Sequence, residues 1–420
     1  PLIDGVQKGC PHHILEPAST NIIPYSEDFT QASIWTPTRC NITANQITSP
    51  DGALNADLLT VTDSSIENYV QTSVLTVNGS KQTASFFVKK GTSDFCHILL
   101  WDASNDGARQ WFDLNNGIVG TSTLFGSGIS VDSAQIINYG NDWYRCIAVF
   151  NNSNTTVRFR VSASNSNGGT TSTIGKTIYI WGAQLELSSY PTSYIPTTTT
   201  TVTRSAETAS GAGNSTTFND SEGVLMVEAA ALSNDGTYRN ICLSDGGLTN
   251  RILIQYTPTA NQINIVIIYS GNQYSLNHTV SNVKDFSKFL IKYKVNDLAL
   301  WVNGFEVDTD TSAFLPSGLN TLSFDNTIGD VFYSKTKQIQ YFDSALADTQ
   351  LEQLTSWQSF RDMATSATRV NKEGLIEVVT NDRPRIDYTD TSDGVFLLEK
   401  AATNLATYSQ DYTHSSWNKV

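Results

Sequence analysis

The amino-acid sequence predicts an all-β chain built as two tandem antiparallel β-sandwiches, with one C-terminal helix on the second. Short apolar or alternating runs recur at strand length, with Gly, Asn and Ser turns between them. Only 16% of residues are charged while Thr, Ser and Asn abound, a balance suited to the solvent faces of sheets. A single stretch, 347–364, has helical spacing. A length of 420 residues calls for two or three domains.

Residues 1–20 read as a connector and 21–197 as the first sandwich. In the latter, TASFFVKK, FCHILLWDA, ARQWFDL, WYRCIAVF, TVRFRVSA and KTIYIWGAQLEL are strand-like, and NNG, GSG, YGND and SNGG are turns. No helical stretch separates these strands, which implies an antiparallel sandwich or jelly roll. Residues 198–217, rich in Thr, Ser, Gly and Ala without periodicity, read as a linker. Strands resume over 218–365 with GVLMVEAAAL, RILIQYT, QINIVIIYS and the long run SKFLIKYKVNDLALWVNGFEVD. Within that run Asn296-Asp297 and Asn303-Gly304 read as tight hairpin turns. The helix follows, with Thr349 and Glu352 as its capping box and Leu351, Leu354 and Trp357 at helical spacing. Residues 366–397 read as a second connector.

The remainder, 398–420, repeats the opening of the first sandwich. When Leu15 is laid on Leu398, Glu16, Ala18, Thr20, Asn21, Tyr25, Ser26, Asp28, Thr30 and Ser33 all meet identical residues. Pro1, Ile3 and Asp4 likewise meet Pro384, Ile386 and Asp387, and Trp35 meets Trp417 one deletion later. Such order reads as one unit of a tandem array followed by the start of the next. The first residue, set in mid-motif without a signal peptide, reads as lying inside a longer gene product.

A net charge of −14 leaves no basic stripe for nucleic acid or an anionic membrane. No apolar run reaches the ~18 residues of a membrane span. The five cysteines, Cys10, Cys40, Cys96, Cys146 and Cys242, are odd in number and lack CxxC spacing, which argues against a zinc site or a disulfide scaffold. The histidines pair with no nucleophile motif, and GxSxG, HExxH and phosphate-cradling loops are missing, so the chain reads as non-enzymatic.

YSEDFTQASIW, DWYRC and IYIWGAQLELSSYPTSYIPT resemble the jelly-roll, carbohydrate-binding-module-like domain common in phage tail and fibre proteins. LALWVNGFEVDT with IGDVFYSKTKQIQYFDSALADTQLEQL resembles a laminin-G-like, concanavalin A-like lectin domain. TRVNKEGLIEVVTNDRPRIDY with LLEKAATNL resembles the connector joining such modules in virion proteins. The resemblance covers most of the chain. It implies a jelly roll followed by a concanavalin A-like sandwich in a virion structural protein: a tail fibre, appendage or receptor-binding component for host attachment. Its partners would be a host surface glycan or capsule, other virion proteins and further copies of itself. Two rivals use the same modules, a bacterial cell-surface adhesin and the non-catalytic part of a secreted polysaccharide-degrading enzyme. No cofactor is expected. Laminin-G-like folds sometimes carry calcium, so a structural calcium ion stays open without assigned residues, the acidic run TDTSDG from Thr389 reading equally as a polar turn.

For glycan binding the candidate is Trp111, whose alternation in ARQWFDL points it away from Phe112 and Leu114. Arg109 and Asp113 share its face, so a sugar ring stacked on the indole would meet polar groups for its hydroxyls. Trp101 is a further candidate, although ILLWDA does not fix its face. Trp143, Trp181 and Trp301 lie in the framework motifs and read as core.

Overall fold

In the computed structural model, the described residues are 2–3, 6–7, 12–78, 80–102, 106–356, 367–379, 386–389 and 395–396. The expected repeat start at 398–420 lies outside them, as does Trp357. Two compact units are present. One holds Pro1–Asp220, Val227–Ser287 and Leu315–Ile339, the other Ser221–Met226, Lys288–Phe314 and Gln340–Val420.

Alternation drives the first sandwich. Its strands are β1 (Trp35–Thr38), β2 (Cys40–Thr48), β3 (Leu54–Val61), β4 (Tyr69–Thr72), β5 (Gln82–Lys90), β6 (Phe95–Trp101), β7 (Gly107–Asp113), β8 (Ile118–Phe125), β9 (Ile129–Gly140), β10 (Trp143–Asn152), β11 (Thr156–Ser164) and β12 (Thr177–Glu186). One sheet runs β9-β10-β5-β12-β3-β2 and the other β8-β7-β6-β11-β4-β1, with Leu75–Thr76 also on β11. The strand pairings within them are antiparallel. Alternate residues of most strands point inward and meet in one core, including Phe86 and Val88 of β5, Ile98 and Leu100 of β6, and Phe159 and Val161 of β11. Each large side chain so buried contributes about 1.5–3 kcal/mol.

The parity of β12 switches midway. Ile178 and Ile180 face the core, and so do Ala183 and Leu185. Between them Gly182 adopts φ +62° opposite a register shift in β5. A Cβ at Gly182 would meet the Phe87 ring at 2.8 Å. The bulge turns Trp181 to the outer face, where it packs with Phe87, Trp143 and Ala56.

The segment before β1 locks onto the end of β12. Asn21 is fully buried; its Nδ2 donates to the carbonyls of Ala183 (3.0 Å) and Ile195 (2.9 Å), while its Oδ1 accepts from Ile23 N and Leu185 N. Glu16 accepts from Arg204 Nη1 (2.5 Å) and Ser193 N (2.8 Å), and Ser26 shares a hydrogen bond with the Tyr194 hydroxyl at 2.6 Å.

The strand β8 closes its sheet as an edge. Its sequence IVGTSTLF carries no charge, and Ile118 and Leu124 are 55% and 60% exposed. At the opposite edge β1 contains Pro37, paired with Val70 of β4.

The second sandwich uses β13 (Glu222–Ala231), β14 (Arg239–Ser244), β15 (Asn250–Tyr256), β16 (Gln262–Tyr269), β17 (Asn272–Thr279), β18 (Ser287–Lys294), β19 (Leu298–Val302), β20 (Phe305–Asp310), β21 (Thr321–Ser323) and β22 (Ser334–Phe342). Its sheets run β20-β19-β18-β13-β22 followed by His13–Ile14, and β17-β16-β15-β14-β21. Asn303 (φ +51°) and Gly304 (φ +95°) join β19 to β20 with the paired positive φ of a type I′ turn. Trp301 packs with Leu290, Met226 and Leu351. The helix α1 spans Asp348–Thr355 and starts earlier than its expected box: Ala347 is the N-cap, and its N–H donates to Gln350 Oε1 at 3.1 Å. Thr349 thus lies inside the first turn, and Glu352 instead accepts from Arg369 Nη1 at 2.8 Å.

Cys40, Cys96, Cys146 and Cys242 are buried free thiols. Burial pushes Cys40 and Cys242 up to about 11, and Cys146 well above its ordinary value. Thiolate is the reactive form, so these groups should be inert in the native state. In a Cys10→Ser background, a chromogenic disulfide reagent should find no fast-reacting thiol until denaturant is added. Rapid labelling of the native chain would contradict the packing described.

Candidate functional site

The outer face of the β7-β6-β11-β4 sheet forms a lattice of polar and aromatic side chains. Cross-strand register sets its rows. Arg109 lies opposite Leu99, which lies opposite Arg160, which lies opposite Gln71. One row over, Trp111 and Ser162 flank His97; on the other side, Gly107 and Arg158 flank Trp101. Gly107 leaves room there, because a Cβ on it would meet the Phe125 ring at 2.4 Å and the Trp101 Cβ at 2.9 Å.

Glu67, from the β3–β4 loop, gathers the lattice. Its carboxylate accepts from His97 Nε2 (3.0 Å), from Arg109 Nε and Nη2 (3.1 and 3.2 Å) and from Arg160 Nη1 (3.3 Å). Arg160 also donates through Nε to Gln71 Oε1 at 2.8 Å. Its guanidinium carbon stands 3.8 Å from the Tyr69 ring centroid and 4.3 Å from that of Trp101, with Arg158 over Trp101 at 5.6 Å. Both rings are partly exposed. Two guanidinium groups, those of Arg109 and Arg160, share one central carboxylate, with a third, Arg158, over the adjoining ring, in a chain that is acidic overall.

Burial would raise the Glu67 carboxyl, but hydrogen bonds from His97 and Arg109 and the charge of the Arg109 guanidinium outweigh it and hold Glu67 at about 2. His97 is 0% exposed, and burial keeps it below its ordinary value despite the carboxylate. It is therefore a neutral ring donating from Nε2, with Nδ1 unpaired. Sealed in this way, His97 has no route for exchanging a proton with an outside ligand, and the Glu67 oxygens are already engaged. The arrangement suits recognition, not proton transfer.

The four residues singled out from sequence separate here. Arg109 and Trp101 join the lattice; Trp111 and Asp113 do not supply the exposed surface expected of them. Trp111 does point away from the core, but it is 1% exposed. Its Nε1 donates to the Gly169 carbonyl at 2.7 Å and its ring stands 5.0 Å from that of His97. The covering loop is tied down by Ser164 Oγ, which also donates to the Gly169 carbonyl (2.7 Å), and by Asn167 Oδ1, which accepts from Thr121 N (2.8 Å). Asp113 is 8% exposed and shapes the following turn, accepting from Asn115 N, Asn116 N and Asn116 Nδ2. Sequence reasoning missed Glu67, His97, Tyr69, Arg158 and Arg160. The two arginines were within reach, since in TVRFRVSA they alternate with inward Val157, Phe159 and Val161. Among the described residues, no cluster of three or more His, Cys, Asp or Glu is placed to hold a metal ion.

No family profile and no curated protein matches the chain. Among solved structures, the CBM40 of the Ruminococcus gnavus IT-sialidase is 16% identical over 35% of this chain and 94% of its own, with a TM-score of 0.30. The LG4-5 domains of the mouse laminin alpha1 chain are 8% identical over 80% of this chain and 90% of theirs, at 0.25. The SAP-like pentraxin of Limulus polyphemus is 8% identical over 41% and 85%, at 0.28. Likenesses so distant assign no ligand.

Removing Glu67 leaves two arginines without their shared carboxylate. Glu67→Ala should cost about 3–5 kcal/mol at pH 7, the scale of breaking a buried ion pair from one side. The folded value lies below the unfolded one, so this stabilisation is complete above the unfolded value of 4.5 and fades as pH falls toward 2. Denaturant titrations of the native chain and the variant should therefore converge across that window. A constant gap at all pH values would reject the ionic account. Trp111→Ala should cost about 3–5 kcal/mol by opening a cavity, as read by the same titrations.

Proposed function

We propose that the chain is a non-enzymatic glycan-binding structural protein, and that the lattice around Arg160 is its saccharide-binding face. One observation carries this reading: the Arg160 guanidinium held against Tyr69 and Trp101 while Glu67 and Gln71 orient it. Saccharide recognition needs rigid aromatic surface for C–H-rich ring faces and fixed donors for hydroxyl or carboxylate oxygens. The partly exposed Tyr69 and Trp101 rings supply the first and the partly exposed Arg109 and Arg158 the second, braced by Arg160, itself only 8% exposed, which reduces the ordering cost of binding. On the sequence resemblances given above, we place the chain in the virion of a tailed phage, as a fibre, appendage or receptor-binding component that engages host surface glycan or capsule.

On a glycan array, the full chain should bind a subset of bacterial capsule or surface saccharides. Trp101→Ala and Tyr69→Ala should each weaken that binding by about 1–3 kcal/mol, the loss of one good aromatic anchor, with little change in Tm. Undiminished binding by both variants would remove this face from consideration. In an adsorption assay, purified chain added first should reduce attachment of the parent virions; unaltered adsorption would count against the attachment role.

A further inference from the structure

The first unit contains a cleft of about 700 Å³ on the opposite sheet, bordered by β9 and β10, by the loop after β12 and by the loops following β13 and β17. Its volume falls within the ~300–1,000 Å³ of ligand-binding clefts. We propose that this cleft is a second saccharide site, selective for neutral, hydroxyl-rich oligosaccharides and independent of the Arg160 face.

Its charge argues for neutrality. Four basic and four acidic side chains line it, and most are engaged within the protein. Lys81 pairs with Asp132 at 2.8 Å, Glu16 with Arg204 at 2.5 Å, and Asp235 takes two bonds from Arg239 at 2.9 and 3.0 Å. Arg145 spends its terminal nitrogens on the Thr192 carbonyl (2.8 Å) and Ser85 Oγ (3.0 Å). A charged ligand would have to be desolvated with little net charge to meet it.

The floor argues for sugar. Successive outward residues of β9 are Ser133, Gln135, Ile137 and Tyr139, an alternation of polar groups followed by apolar surface. Tyr139 is 40% exposed and its ring is braced edge-on against Phe87 at 4.9 Å. Such a ring offers its free surface to a pyranose face, with Gln135 and Ser133 in line for hydroxyls. The wall is fixed before any ligand arrives. Ser193 N donates to Glu16, Thr192 N to Glu186 (3.2 Å), and Ser188 Oγ to the Tyr190 carbonyl (2.7 Å).

The test is isothermal titration of maltotriose, cellotriose and N,N′,N″-triacetylchitotriose into the full chain, run in a Trp101→Ala background so that the other face does not contribute. At least one trisaccharide should bind, with an affinity that changes less than twofold between 50 and 500 mM NaCl. Adding Tyr139→Ala should weaken it at least tenfold, and Gln135→Ala should weaken it without altering the melting temperature. Absence of heat for all three at millimolar concentration, binding retained by both variants, or a steep loss of affinity with salt would each overturn the proposal.

Discussion

A single buried amide carries much of the first sandwich. Asn21 satisfies two backbone carbonyls and two backbone N–H groups around the end of β12. Left unmatched in the interior, each of those groups would cost on the order of 1–3 kcal/mol. The bonds pin the opening segment to the last strand and to Ile195 beyond it. That in turn places the loop 188–193, which forms one wall of the cleft, and Tyr194, which packs on Phe87 and Trp181. Glu16 and Ser26 reinforce the same junction, and both recur with Asn21 in the second copy of the motif, at Glu399, Ser409 and Asn404. The repetition preserves these three residue identities.

What the sequence made legible was periodic. Alternation in TASFFVKK and TVRFRVSA gave strands and their inward residues, because the β period of two leaves a one-dimensional trace. Parity gave Trp111 its outward direction. It could not give its cover, which comes from the Asn- and Gly-rich stretch around Gly169, 58 residues away and readable locally only as a turn. The lattice was hidden for the same reason. Glu67 reaches partners 30, 42 and 93 residues distant, and no local pattern marks a loop glutamate as the meeting point of His97, Arg109 and Arg160. The helix shows the limit on boundaries: the box expected of Thr349 and Glu352 is made instead by Ala347 and Gln350, whose side chain reaches back to the Ala347 N–H, while Glu352 turns to Arg369.

The two outer faces of the first sandwich divide their polar chemistry differently. Around Glu67 the charges sit together, with cations in excess and aromatic rings against them. Around the cleft they cancel in pairs, and the exposed ring stands beside amide and hydroxyl groups. Two surfaces of one small domain thus differ in the electrostatic character of what each can accept without a desolvation penalty.

The edges of the sheet that carries the lattice are also unlike. Along β8 the edge is uncharged and carries exposed Ile118 and Leu124, with Thr121 N at its middle taken by Asn167. At the far side, Pro37 interrupts β1 with a residue that has no N–H to give. Were two molecules to meet along β8 about a twofold axis, the joined sheet would present only proline-bearing margins. Lateral growth would then stop at a pair.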